Sequence, residues 1–340
     1  MKKQKGLAKA RTSLVAGSLL WAGISIGISA TFLAVETQSS DKKSDNWNYS
    51  RRGIDLMMDG DTAAAIGVFH QVQQNDPQSP LGYLLEAQAV WWRIYYSTAD
   101  LRDPDVFDVA RQDVSPDDSH FFDLTNVAIT RGEIALRAGA DVARNNLYEG
   151  MAYALQARLN GLRGKDLATA RAGKKMRAFL LEALKDDPNL VDANLGLGIY
   201  NYYIDTLPPA IKLLRALGNV PGGNRELGLQ QIQKAAEHGD LVRDEAMFYL
   251  AKDFSRDKEK KYNQALELFG HLARNHSHNP LWVLLSAEMR LRLGETREGD
   301  QLYRKVFQDT AGKASETDRA VHRAAHEGLA RRHPTEKFAD

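Results

Sequence analysis

From Thr12 to Val35 the chain carries no charged side chain for 24 residues, with five cations before this run and the polar stretch TQSSDKKSDN after it. As a helix the run would extend about 36 Å, against a hydrocarbon layer of about 30 Å. Beyond it the pattern changes to apolar residues recurring three and four positions apart, in stretches broken by Gly or Pro, which predicts amphipathic helices. Tyr49, Gly53, Leu56, Gly60, Ala65, Phe69, Val72 and Pro77 mark the first helix pair. A second pair runs from Leu147 to Pro188, with Met176, Leu180, Ala183 and Leu184 on one face. Asp244 to Pro280 gives a third, with Ala246 to Phe254 followed by Ala265, Leu268, Phe269 and Leu272. In the fourth, Leu281 to Phe307, Gly294 is the turn between a Trp282/Leu285/Met289 helix and a Tyr303/Val306 helix. Glu316 to Arg331 reads as a polar, alanine-rich helix suited to the end of a stack. No segment alternates convincingly with period two, so the body is expected to be all-α. Asp100 to Ser119, rich in acids and holding Pro104 and Pro116, is expected to be a loop between blocks.

The frame from Tyr49 to Pro77 resembles the tetratricopeptide repeat, a unit of about 34 residues in which an aromatic, a glycine, a large residue, a turn glycine, an alanine, an aromatic, a small residue and a proline recur in this order. Gly53 and Ala65 let two antiparallel helices approach, Phe69 fills the gap toward the next pair, Gly60 permits the turn and Pro77 stops the helix. Arg52 stands where that family prefers Leu. The centre, Leu195 to Gly239, resembles more specifically the family of eukaryotic tetratricopeptide repeat 39 proteins and yeast outer-mitochondrial-membrane inclusion-body clearance proteins. The matching elements are Gly196 and Gly198, the Leu207-Pro208-Pro209 break with Ile211, and the Gly223-Asn224-Arg225 turn followed by Gly228-Leu229. This resemblance implies an adaptor-like rather than an enzymatic role. Pro208-Pro209 is expected to end one helix and begin the next, and Asn224 to cap the helix that follows it.

The expected architecture is thus a tetratricopeptide-like α-solenoid of antiparallel helix pairs behind a transmembrane helix or signal segment. Residues 1–11 form a basic cytoplasmic tail, 12–35 the anchor, 36–47 a linker, 48–312 the repeat domain and 313–340 a capping helix and tail. Lys2, Lys3, Lys5, Lys9 and Arg11 hold the N-terminus in the cytoplasm and send the rest across. A cleaved signal usually has an apolar stretch of about 7 to 15 residues and a small-x-small site. Here Ile28 precedes Ala30 and Phe32 precedes Ala34, which favours an uncleaved anchor. The expected location is a single pass through an inner membrane with a periplasmic repeat domain; the alternative is release to the periplasm after cleavage.

Charge narrows the partners. The net charge is +1, but five of the 45 basic residues precede Thr12, so the body holds 40 against 44 acidic residues and carries about −4. This balance gives no basic face for nucleic acid. With no cysteine, disulfides, thiolate metal sites, Cys nucleophiles and a lipidated Cys anchor are excluded.

Candidate chemistry is sparse. His322 and His326 are four apart, a metal-ligand spacing that lacks a third ligand, and His271, His276 and His278 read as a polar turn. Gly196-x-Gly198 and Pro221-Gly222-Gly223 follow no strand and lack the partners of a phosphate loop. No catalytic residue, metal or cofactor is expected. Trp91, Trp92, Tyr95 and Tyr96 are consecutive or nearly so, and adjacent residues of a helix point to different sides. They could therefore not all face one core, and with Tyr200, Tyr202 and Tyr203 they are candidates for a binding groove as well as for inter-repeat packing. Arg225, beside a helix N-terminus, either holds an anionic group or bridges its turn. The main expectation is a scaffold for protein or peptide partners; the second is a carrier of an apolar or aromatic small molecule or lipid.

Overall fold

A computed structural model of the chain describes residues 45–98, 100–106, 113–207, 221–336 and 338. The chain divides into two units, residues 1–45 and 46–340. The basic tail, the apolar leader and most of the linker lie outside the described residues, as does the helix expected to begin at Pro208-Pro209. Among the described residues there are 13 helices and no strand, and no helix is long and apolar enough to cross a membrane.

Residues 45–58 form α1. It is followed by α2 (Thr62–Asn75), α3 (Leu81–Thr98), α4 (Asp118–Arg137), α5 (Val142–Leu162), α6 (Asp166–Asp186) and α7 (Ala193–Thr206). The second half holds α8 (Arg225–His238), α9 (Arg243–Phe254), α10 (Tyr262–Asn275), α11 (Pro280–Arg292), α12 (Thr296–Thr310) and α13 (Glu316–Arg332). Short polar side chains set several of the starts. Asp61 accepts from the Ala64 N–H at 2.9 Å, Asn224 from the Leu227 N–H at 2.9 Å, and Ser315 from the Asp318 N–H at 2.9 Å. At α11, Asn279 accepts from the Leu281 N–H and Pro280 occupies the first turn, where its missing donor is harmless.

Consecutive helices pack on one another from α2 through α13, the neighbour-to-neighbour packing of a helical repeat. Small residues mark the close approaches. A Cβ at Gly53 would overlap the Phe69 ring, and one at Gly198 would lie 2.7 Å from the Gly228 carbonyl oxygen, so α7 and α8 touch backbone to backbone.

The order of helices also closes on itself. α13 packs against α3 as well as against α12 and α11. The α1–α2 turn joins the same junction: Asn279 Nδ2 and Trp282 Nε1 donate to the Met58 carbonyl at 2.9 and 3.2 Å, and Thr317 Oγ1 donates to the Gly60 carbonyl at 2.8 Å. Gly60 turns the chain with φ +86°, and a Cβ there would press on Thr317 at 3.0 Å.

Enclosed by this closure, α3 is buried at 14 of its 18 positions, so it has no solvent face of ordinary width. Its polar residues are matched inside. Glu86 accepts from Gln73 at 2.5 Å and meets the His70 and His120 imidazoles at 3.1 and 3.2 Å. Gln88 bonds to Glu245, which also pairs with Arg158. Such pairing is what permits polar groups in a core.

Candidate functional site

Trp91, Trp92 and Tyr95 are each 1% exposed. Trp92 lies 5.0 Å from Phe248, 5.7 Å from Tyr95 and 5.9 Å edge-on to Trp282. The premise that these rings could not all be buried fails because α3 is covered on every side rather than resting on a single core. In the structure they are packing residues, with no surface to offer a ligand.

The second group is placed differently. Tyr200 is 5% exposed and its hydroxyl donates to the Pro221 carbonyl at 2.8 Å. Tyr202 donates to Glu259 at 3.3 Å, and Tyr203 donates to Asp253 at 3.0 Å. Arg225 Nε meets the same Glu259 at 3.2 Å, so it bridges its turn to the segment after α9. The Arg256 guanidinium lies over both rings, 5.4 Å from Tyr202 and 5.2 Å from Tyr203. The structure therefore gathers Tyr202, Tyr203 and Arg225 into one charged and aromatic cluster.

That cluster is part of a larger site where the C-terminal halves of α7, α9, α11 and α13 come together. α9 supplies Lys252 and Asp253 and is followed by Arg256; α11 supplies Glu288 and Arg292; α13 supplies Glu327. Cations suit helix C-termini, where the backbone carbonyls lack partners and the dipole is negative. Across these ends lies residues 100–106 (DLRDPDV), non-helical as the prolines and acids implied. Lys252 Nζ donates to the carbonyls of Leu101 at 3.0 Å and Asp103 at 2.6 Å. Arg256 meets Asp105 at 3.0 Å, and Arg102 meets Glu327 at 3.1 Å. Both Lys252 and Arg256 are 1% exposed. Burial pulls the Lys252 ammonium down to about 8, against the opposing pull of Asp103 and Asp100. Sequence reasoning missed Lys252 and Arg256, although two cations four apart at the end of a helix could have marked them.

A polar cavity of about 500 Å³ lies elsewhere, between α1, the turn before α9, and α10. Asp55, Asp59 and Asp244 line it together with Arg51, Arg243 and His276. His276 bonds Asp244 at 3.1 Å, and His278 lies 3.6 Å from Asp59. Nδ1 of His322 faces the Phe307 carbonyl at 3.1 Å, and its ring stacks on that of Phe307 at 4.4 Å. Among the described residues no group of three or more His, Asp or Glu side chains is placed to hold a metal. Gly196 and Gly198 are enclosed by neighbouring helices, and Gly223 abuts the Asn201 carbonyl, so none lines an open loop.

No protein-family model matches the chain, and no curated protein matches it. The class that the coordinates define is an all-α protein with the packing of a helical repeat.

Proposed function

We propose that the protein is a non-enzymatic scaffold of the tetratricopeptide type, held at a membrane by its N-terminal apolar segment, with the helical unit on the extracytoplasmic side. It binds a segment of a partner protein where the C-terminal halves of α7, α9, α11 and α13 meet. One observation carries this reading: that surface already clasps a non-helical, turn-rich stretch of polypeptide, through donors from Lys252 and Arg256 to main-chain carbonyls and a carboxylate. The helical-repeat packing and the sequence resemblance support the scaffold class. The charge-free run from Thr12 to Val35 and the cations before it support the anchor and its orientation.

The test is a photoreactive residue in place of Asp257, whose side chain is 81% exposed and lies 3.5 Å from Arg292 at the edge of the site. In native membranes the full chain is expected to give a saturable adduct with one recurring protein, and Arg292→Glu to weaken it. Irradiation that yields no protein adduct would overturn the reading.

A further inference from the structure

Residues 100–106 are attached to the body in an asymmetric way. Their own N–H groups are occupied locally: Asp103 N donates to the Asp100 carbonyl at 3.1 Å, Val106 N to the Asp103 carbonyl at 3.4 Å, Arg102 N to Asp100 Oδ1 at 3.2 Å and Asp105 N to Asp103 Oδ1 at 2.9 Å. Toward α9 the stretch therefore offers acceptors, two carbonyls and a carboxylate, while the body supplies the donors. Toward α13 it offers one cation, Arg102, to Glu327. Two apolar side chains, Leu101 at 2% and Val106 at 0% exposure, are pushed into the core on either side of Asp103 and Asp105. A short peptide bound to a receptor has these properties: internal turn bonds, acceptors facing fixed donors, and two buried anchors.

The receptor side is built for such a guest. Lys252 is fully covered yet meets carbonyls at its closest contacts, and a buried ammonium is costly unless its donors are matched. Arg292, Arg332 and Lys252 of the body act on Glu288, as does Arg102 of the stretch itself; burial raises this carboxyl, and the cations oppose the rise without cancelling it. The body's cations here are shared with Glu288, Asp253 and Asp300, and the acidic stretch brings Asp100 and Asp103 to bear on Lys252 and Asp105 on Arg256.

We propose that residues 100–106 are a built-in occupant of the scaffold's site, and that the partner segment replacing them is a turn-forming acidic peptide with two apolar side chains bracketing its carboxylates. The proposal rests on the scaffold reading and adds the chemistry of the partner and a competitor in cis. Tethering gives the internal stretch a high effective concentration. A free segment therefore binds only with its intrinsic affinity multiplied by the fraction of molecules in which the site is open.

The probe is a fluorescein-labelled peptide of the sequence DLRDPDV, titrated into the detergent-solubilised full chain and read by anisotropy. Arg102→Gln with Asp105→Asn loosens the internal stretch and leaves Lys252 and Arg256 in place. This double variant is expected to bind the probe at least about tenfold more tightly than the native chain, since the open fraction rises toward one and no longer reduces the affinity. Arg256→Gln added to it should return binding to the native level or below. Equal binding by the native chain and the double variant, both with intact helical melts, would overturn the proposal. If the double variant does not fold, amide exchange of residues 101–106 in the native chain decides. Faster exchange at millimolar probe supports displacement; unchanged exchange refutes it. Adducts from position 257 that persist while the probe fails would leave the scaffold standing and remove only the internal occupant.

Discussion

Glu149 has no exposed surface, and neither of its carboxylate oxygens has a hydrogen-bond partner among the described residues. Its side chain lies against Gly132, where a Cβ would come within 2.6 Å of it. Burial first, then the charge of Glu133, pushes this carboxyl up to about 7. The folded state therefore holds the proton more tightly than the unfolded chain. The associated stability is complete below the unfolded value near 4.5 and is lost as pH rises through about 7. Glu149→Gln is expected to raise the melting temperature at pH 8 by roughly 2–4 °C, with little effect at pH 4.5, when unfolding is followed by circular dichroism. An equal change at both pH values would contradict the assignment. His276 moves the same way. Burial opposes its charge, but the hydrogen bond to Asp244 and the carboxylates of Asp244, Asp59 and Asp55 outweigh it, and the imidazole is raised above its ordinary 6.5. Its contribution is full below that value and fades as pH rises through the raised one, so native stability should fall from pH 6 to pH 8. Glu149 did not stand out in the sequence and His276 was read only as part of a polar turn, because the state of each is set by other helices: Glu149 by α4, and His276 by α1 and α9.

Single elements were more legible. Gly53, Gly60 and Phe69 were readable as parts of a helix pair, and the structure adds that the Phe69 ring lies over Gly53 in its own pair rather than only facing the next. The glycines of the central signature have a steric meaning. A Cβ at Gly198 would meet Ile232 at 2.6 Å, and one at Gly228 would meet the Tyr202 nitrogen at 2.6 Å. Backbone cannot yield as a flexible side chain can, so Gly198→Ala is expected to destabilise the protein by about 1–3 kcal/mol, read from the urea midpoint at constant slope. Cap residues were also legible: Asn224 accepts the Leu227 N–H as expected. Of the two readings of the α3 aromatics, packing agrees with their burial; the premise that they could not all be covered failed because helical geometry tells which directions side chains take and says nothing of how many neighbours surround the helix. Likewise the acids and prolines of residues 100–119 indicated a loop, while its docking on Lys252 and Arg256 depends on contacts about 150 residues apart.

Closure is the feature of the helical unit that local patterns could not supply. In an open array each repeat touches only its neighbours, so removing the last one leaves the rest nearly intact. Here α13 covers part of α3, and Thr317 reaches the Gly60 carbonyl. Deleting residues 313–340 should therefore do more than shorten the stack: it uncovers a helix whose residues are apolar almost all round. The expected result is a broad, non-cooperative melt and association on gel filtration. A truncated protein that stays monodisperse with a sharp transition would show that α13 is dispensable to the core. The same closure has a consequence for synthesis. Leu81–Thr98 leaves the ribosome about 235 residues before Glu316–Arg332 does, and a chain made N-terminus first folds as its parts emerge. Arg93 and Tyr96, which meet Glu316 and Thr317, must wait, uncovered, for a helix still being translated, so the nascent protein depends on holding factors or on rapid completion to escape aggregation.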